Sequence, residues 1–256
     1  MKMILENKNI VIFGSGGLLG ACLTKACLAN GSKVIAVDLD INHIKNKLSA
    51  QGVTTSGMNI TYAEVDVTNE QSVTDFFNSL EDIDGIVNAT YPRNKTYGRK
   101  LFDVTLASFN ENLSLHLGSS FLISQQAAQF FMRQKKPVSM VNISSIYGVI
   151  APKFNIYDNT QMTMPVEYAA IKSALLHLNK YIVAYVNNSD FRINSVSPGG
   201  IFDNQPAEFC EAYRKNTHGT GMLDVNEMTG SIVFLLSDQS RYVTGQNIIV
   251  DDGFSL

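Results

Sequence analysis

The stretch NIVIFGSGGLLGACLTKA, residues 9–26, decides the fold. Residues 9–13 are short, β-branched and largely apolar, the pattern of a strand buried on both faces. Four glycines then fall within residues 14–20. Beyond them Leu19, Cys22, Leu23 and Ala26 recur at helical spacing, and Gly31 suits the position just past a helix end. A strand, a glycine-rich turn and a helix in that order form the context in which such a turn holds a dinucleotide. Glycine permits backbone bends with positive φ and lets the chain touch a pyrophosphate. The helix N-terminus adds free N–H groups and partial positive charge. Taken alone, the glycines also fit a merely flexible turn.

Outward from this unit the chain alternates short β-branched runs with helical patterns. Strands are expected at 33–38, 62–66, 84–89, 137–145, 191–197 and 247–251. Helices are expected from a Thr68/Gln71 capping box towards Leu80, over 111–135, over 166–187, and from an Asp224/Glu227 capping box to Leu236. Alternation of this kind predicts an α/β fold: a single Rossmann-type, doubly wound domain over 1–256, with a seven-stranded, mainly parallel sheet and helices on both faces. Residues 149–166 and 202–222 read as the longest irregular pieces, which in compact domains are usually binding loops.

Composition narrows the classes. Of 256 residues 45% are hydrophobic and 17% charged, enough apolar content for a large core. The net charge of −3 argues against a nucleic-acid partner, which would need a basic face. No run is long enough to span a membrane, and the N-terminal residues turn polar too early for a signal peptide. Cys22, Cys27 and Cys210 show no metal spacing, so no metal is expected, and they read as reduced thiols of a cytoplasmic protein.

Two further features carry chemistry. The second strand ends at Asp38, 18 residues after Gly20. A carboxylate there accepts both ribose hydroxyls of NAD and repels the 2′-phosphate of NADP, so NAD(H) is the expected cofactor. A strand-end cap is the plain alternative for Asp38. Tyr168 and Lys172 are four residues apart, one turn along a helical face. A nearby ammonium favours the phenolate, which would let Tyr168 exchange a proton with a carbonyl or hydroxyl oxygen. Lys172 would also reach the nicotinamide ribose, and Ser145, after the fifth strand, could hydrogen-bond the same substrate oxygen.

Together these residues resemble the short-chain dehydrogenase/reductase family, over almost the whole chain. Asp66-Val67 is similar to its adenine-contacting pair, and Val87-Asn88-Ala89 to its Asn-Asn-Ala-Gly segment along the cofactor. Asn142-Ile143-Ser144-Ser145 is similar to the segment with the catalytic serine, and Tyr168 and Lys172 fall on its Tyr-x-x-x-Lys motif. Asn194, Pro198-Gly199 and Ile201 match the segment meeting the carboxamide, and residues 242–246 and 250–253 its C-terminal signature. The resemblance implies NAD-dependent hydride transfer between a hydroxyl and a carbonyl, cofactor contacts at Gly14, Ser15, Gly17, Leu18, Gly20, Asp38, Asp66, Val67, Asn88, Ala89, Tyr168, Lys172, Pro198, Gly199 and Ile201, and a homotetramer or homodimer.

The departures are specific. Phe13 and Leu18 replace a threonine and a glycine of the usual compact pattern, and the glycines at 14, 17 and 20 follow the spacing of longer, nucleotide-sugar-modifying members. Counting back from Phe121 places His116 where the family has a structural or proton-relay asparagine, so His116 joins Ser145, Tyr168 and Lys172 as a candidate catalytic residue, its near-neutral titration suiting a relay. Ser145 and Tyr168 stand 23 residues apart, longer than is common, with Lys153, Tyr157, Asn159, Thr160 and Gln161 between them. This insert and the segment from Tyr91 to Lys95 also resemble a bacterial branch that builds surface polysaccharides and flagellin glycans. Arg93, Tyr147, Lys153 and Tyr157 are therefore the expected substrate contacts, for a sugar, sugar phosphate or nucleotide sugar. A solvated loop is the plain alternative for the cations. Two other functions fit parts of the pattern: a 3-oxoacyl thioester reductase, which Asp38 disfavours, and a non-catalytic NAD-binding sensor or scaffold, which would have no use for Ser145, Tyr168 and Lys172.

Overall fold

The structure is a computed structural model and describes residues 3–54, 56–57, 59–158 and 160–256. Seven strands form one sheet: β1 (Asn9–Phe13), β2 (Lys33–Asp38), β3 (Ile60–Glu64), β4 (Gly85–Asn88), β5 (Val138–Ile143), β6 (Phe191–Pro198) and β7 (Asn247–Val250). Their order is β3-β2-β1-β4-β5-β6-β7 and every pairing is parallel. Eight α-helices accompany them among the described residues: α1 (Leu18–Ala29), α2 (Ile41–Ala50), α3 (Glu70–Ser79), α4 (Leu106–Asn112), α5 (Ser119–Gln134), α6 (Val166–Val186), α7 (Ala207–Arg214) and α8 (Thr229–Leu236). Alternate residues of β1 point to opposite faces. Ile10 and Ile12 pack with α1, α2 and α8, while Val11 and Phe13 pack with α3, α5 and α6. All of β4 and β6 is buried, as a sheet covered on both faces requires.

The architecture is the doubly wound one that the alternation predicts, but several boundaries differ. The third strand starts two residues earlier than its apolar run suggests. Asp66 lies beyond it because its carboxylate accepts hydrogen bonds from the Thr68 amide and hydroxyl, turning the chain away from β2. That leaves Thr68 unavailable as a cap, and Asn69 caps α3 instead, accepting from the Ser72 amide. Asp224 caps a 3₁₀ turn ahead of α8. α2 is an element the periodicity reading passes over, although Asp40 caps it and Ile44 and Leu48 bury its inner face. Likewise α7 sits inside the 202–222 stretch, with Phe209 and Tyr213 as its buried side. The long helix expected over 111–135 is interrupted: α4 passes into a π-helical segment, Leu113–Gly118, before α5.

Sheet order reverses between β1 and β4, and the crevice at such a reversal, beyond the carboxyl ends of the strands, is where doubly wound folds bind ligands. A chain of buried amides fixes this end of the sheet. Asn88 donates to Asn142 (3.1 Å), Asn142 to Asn179 on α6 (2.8 Å), and Asn179 to Ser195 on β6 (2.7 Å). On the other side of the reversal, Gly20 of α1 lies so close to the turn that a Cβ would come within 2.0 Å of the Gly14 carbonyl oxygen. Gly20→Ala is therefore expected to destabilise the chain by about 2–4 kcal/mol in urea unfolding. Gly230→Ala on α8, where a Cβ meets nothing within 4 Å, should be neutral or stabilise by about 0.5–1 kcal/mol.

Candidate active site

Two cavities, of about 330 and 320 Å³, open along the crevice and share Ala89, Thr90 and Tyr91 as a common wall. The second is lined by Gly14, Gly16, Gly17, Val37, Asp38, His43, Val65 and Val67. Gly14 has φ +82°, and a Cβ on it would meet the Ala89 carbonyl oxygen at 2.8 Å. Gly17 precedes α1 with no side-chain cap and no acidic residue in the first helical turn, leaving that N-terminus to a ligand. Asp38 accepts from the Gly16 amide at 2.8 Å and from Leu39, so one carboxylate joins the turn to the end of β2. An uncapped helix end, a close-packed glycine turn and a carboxylate at the far wall fit a dinucleotide.

Not every expected contact is available to it. The Ser15 side chain is fully buried, with its hydroxyl donating to the Ile12 carbonyl at 2.7 Å and its amide to Val37, so Ser15 builds the turn instead of facing a ligand. Gly20 acts through packing, and Leu18 lines neither cavity. Asp66 is diverted to Thr68, while its neighbours Val65 and Val67 form the wall. The Asn88 amide is used entirely within the protein, donating to Ser120 and Asn142 and accepting from Thr90. Ala89, next along, does reach both cavities, and His43 is a wall residue that the motif reading omits.

The first cavity brings together Ser145, Tyr147, Tyr157, Tyr168, Lys172, Pro198, Gly199 and Ile201, as the sequence suggests. Tyr168 and Lys172 come from α6, whose first turn follows Pro165, and Ser145 from the end of β5. Burial pushes the Tyr168 phenol up, and a hydrogen bond with Ser145 is what opposes it. The expectation that Lys172 acidifies this phenol is not met: burial raises it and only the Ser145 hydrogen bond opposes, while the Lys172 Nζ stands 5.4 Å from the Tyr168 ring centre. Lys172 itself is pushed down to about 7 by burial. Its Nζ donates to the Ile143 carbonyl at 2.7 Å and lies 3.3 Å from His116 Nε2.

His116 also departs from expectation. Burial, then the charges of Lys172 and Arg93, press its imidazole down to about 2, so it stays neutral near pH 7 and does not titrate as a relay there. Arg93 lies over the Tyr91 ring at 4.8 Å and is absent from both cavity walls. Lys153 is turned away, its Nζ donating to the Phe254 carbonyl at 2.7 Å and sitting 4.5 Å over the Phe254 ring. Asn159 lies outside the described residues. Sequence reasoning missed Tyr91, whose ring stands edge-on to Tyr168 at 5.7 Å and to His116 at 5.0 Å, with its hydroxyl against that of Tyr97. It also missed Tyr213, Phe209, Gln205 and Met222, brought in by the region around α7. The i, i+4 pair Phe209 and Tyr213 was the available signal.

Among the described residues no cluster of His, Cys, Asp or Glu could hold a metal ion, and no helix is long and apolar enough to cross a membrane. The profile of the family described as enoyl-(acyl carrier protein) reductase matches residues 17–255. The chain is 38% identical to the post-translational flagellin modification protein A of Campylobacter coli, over 99% of this chain and all of that protein. It is 26% identical to the 7alpha-hydroxysteroid dehydrogenase of Bacteroides fragilis, covering 98% of this chain and 95% of that one. Among solved structures, a short-chain dehydrogenase from Leptospira borgpetersenii with bound NAD+ superposes with a TM-score of 0.85 at 29% identity, over 98% of this chain and 94% of that one. A turn built for a dinucleotide, a buried tyrosine and lysine one helical turn apart, and likeness along nearly the full length have one explanation: the chain belongs to the short-chain dehydrogenase/reductase family, oxidoreductases acting on hydroxyl and carbonyl groups.

Proposed function

We propose that this chain is an NAD(H)-dependent oxidoreductase of a sugar or sugar-derived compound, a sugar phosphate or nucleotide sugar included. The observation that carries the reading is the meeting of Tyr168, Ser145 and Lys172 on one cavity that shares a wall with the Gly14–Asp38 crevice. When bound, the nicotinamide supplies or accepts the hydride. In the reductive direction the Tyr168 hydroxyl gives its proton to the carbonyl oxygen, while the Ser145 hydroxyl donates a hydrogen bond to that same oxygen. Oxidation reverses both movements. Lys172 holds the ribose end, Pro198, Gly199 and Ile201 hold the carboxamide end, and Asp38 accepts from the adenosine ribose.

The substrate class draws on the wall and on the flagellin-modification relative. Residues 149–166 supply Tyr157, Met162, Met164 and Pro165, and residues 202–222 supply Gln205, Phe209, Tyr213 and Met222; these two segments are read as the substrate loops. Phenol hydroxyls on aromatic faces suit a ligand with both polar groups and C–H faces. Tyr147 is the best placed, its buried hydroxyl lying near Tyr157 without the geometry of a full hydrogen bond. The chain is further read as a cytoplasmic homodimer or homotetramer, with the exposed apolar face of Phe121, Met132, Tyr181 and Tyr185 on α5 and α6 as the self-contact.

Hydride transfer assayed over sugars, sugar phosphates and nucleotide sugars tests the reaction; no turnover of any carbonyl or alcohol would favour a non-catalytic role. Tyr168→Phe should bind NADH normally and lose about 100-fold or more in turnover; an active variant would remove Tyr168 from its role. Calorimetric titration should show NADH binding about tenfold or more tighter than NADPH, because Asp38 repels the added phosphate; the opposite ranking would overturn the reading of Asp38.

Lys172 makes a pH prediction. Its folded pKa, about 7, is depressed from the ordinary lysine value near 10.4. The neutral amine is therefore the form the fold prefers. The contribution of Lys172 to stability is greatest above the unfolded value, falls as pH drops from about 10.4 to about 7, and then stays level with the buried ammonium at full cost. Lys172→Met should accordingly be more stable than the parent by about 1–3 kcal/mol near pH 6, after discounting the hydrogen-bond partners left behind. That advantage should shrink as pH approaches about 10. Urea unfolding at the two extremes checks it, and a variant less stable at both would contradict the linkage.

A further inference from the structure

We propose that His116 is a positioning residue: its Nε2 and the Ile143 carbonyl together fix the Lys172 amine against the cavity, with no water between. The inference rests on the reading of Lys172 above for its catalytic meaning, but not for its geometry.

The evidence lies in how the imidazole is brought there. His116 belongs to the π-helical segment Leu113–Gly118, and a local widening of this kind redirects side chains within an otherwise continuous helix. The carbonyl of His116 is held from three directions, accepting from the Ser119 amide and from the Ser119 and Ser120 hydroxyls at 3.0 and 2.8 Å. Ser120 in turn accepts from Asn88 at the end of β4 at 3.1 Å. The ring is 1% exposed, backed by the edge-on ring of Tyr91, with Nε2 3.3 Å from Lys172 Nζ. Lys172 closes the circuit by donating to Ile143 at the end of β5, while its helix is tied back where Ser144 donates to the Lys172 carbonyl. The backbone of His116 is thus anchored to β4, and its ring anchors the lysine to β5.

Chemistry fixes the direction of the bond. While Lys172 is charged its ammonium has donors only, so Nε2 accepts and the imidazole proton then sits on Nδ1. Nδ1 is buried and has no hydrogen-bond partner. The neutral ring consequently acts as an acceptor for Lys172. Around the imidazole and the amine, the charged and titratable groups are Tyr91 and Arg93 from the segment after β4 and Tyr168 from α6, with Glu167 of α6 acting on Tyr91. Among the described residues no carboxylate forms an ion pair with Lys172. Its charge is therefore supported by two neutral acceptors, and removing one should be felt directly.

The test follows the lysine itself. In full-length protein labelled with carbon-13 at lysine Cε, the Lys172 resonance, assigned by its loss in Lys172→Arg, is titrated in the parent, His116→Phe and His116→Gln. The parent should titrate near neutrality, His116→Phe about one pH unit lower because an acceptor of the charged form is gone, and His116→Gln back towards the parent. NADH affinity followed over the same pH range should lose strength at correspondingly lower pH in His116→Phe. If His116→Phe does not fold, His116→Leu, which likewise offers no acceptor, takes its place with the same expectation. Coincident Lys172 midpoints in the parent, the non-bonding variant and His116→Gln would overturn the proposal. Failure of the parent to turn over any carbonyl would instead reject the enzyme reading, since the lysine resonance needs neither substrate nor cofactor.

Discussion

A buried amine without a carboxylate partner is the constraint on which the active site depends. Taking an ammonium out of water is costly, and the usual relief is an opposite charge. Lys172 has instead a backbone carbonyl and an imidazole. A carboxylate at the same distance would hold the amine more firmly, but it would also cancel its field and compete with any hydroxyl presented to it. Neutral acceptors orient the amine without cancelling the charge it carries below about pH 7. Its depressed pKa is the physical consequence of burial without an opposite charge.

That amine can only be held because several separately coded elements end at the same place. β4 contributes Asn88, β5 contributes Asn142 and the Ile143 carbonyl, α6 contributes Asn179 and Lys172, and the π turn contributes His116. The amide chain through Asn88, Asn142 and Asn179 satisfies polar groups that the parallel sheet would otherwise bury unpaired. It also locks the spacing between the strand ends and α6. Tyr91 completes the arrangement from the outside. It forms part of the wall of both cavities, and desolvation drives its phenol, like that of Tyr97, far above the ordinary range, so the pair remains neutral beside the lysine.

How much of this the sequence disclosed depends on whether the signal is local. The glycine turn is a local pattern, and β1, β2 and α1 appear where it puts them. The Tyr168–Lys172 pair needs only a helix, and α6 has nearly the expected bounds. By contrast, whether a polar side chain faces a ligand or its own fold is settled by tertiary neighbours. Ser15 turns inward to Ile12, Asn88 is consumed by the sheet, and Lys153 finds Phe254, 101 residues away. None of these choices has a periodicity. The π turn is equally silent: counting residues from Phe121 singles out His116, yet only the fold brings its ring directly to the lysine. α2 is different, because its cap and its Ile44–Leu48 spacing were legible and the unassigned stretch before the third strand simply left them unread.

The misdirected lysine points to how the site divides its labour. Lys153 binds the Phe254 backbone and covers its ring; that ring stacks on Tyr213 at 4.4 Å, and the Tyr213 hydroxyl accepts from the Gly200 amide at 2.6 Å. This series runs from the segment after β5, through the residues beyond β7, to the turn after β6. It stiffens the outer wall without involving Ser145, Tyr168 or Lys172. A Cβ at Gly199 or Gly200 would strike Tyr213 within 3 Å, so the wall is packed against the turn that also lines the cavity. The groups proposed for acid–base chemistry therefore rest on the sheet and α6, whereas much of the remaining cavity wall rests on a second aromatic cluster, against which Tyr168 packs. Substitutions in that cluster can reshape the cavity and reach Tyr168, which packs against it, while the lysine and its two acceptors keep their places. Cavity shape can thus change within this fold with the lysine and its acceptors undisturbed.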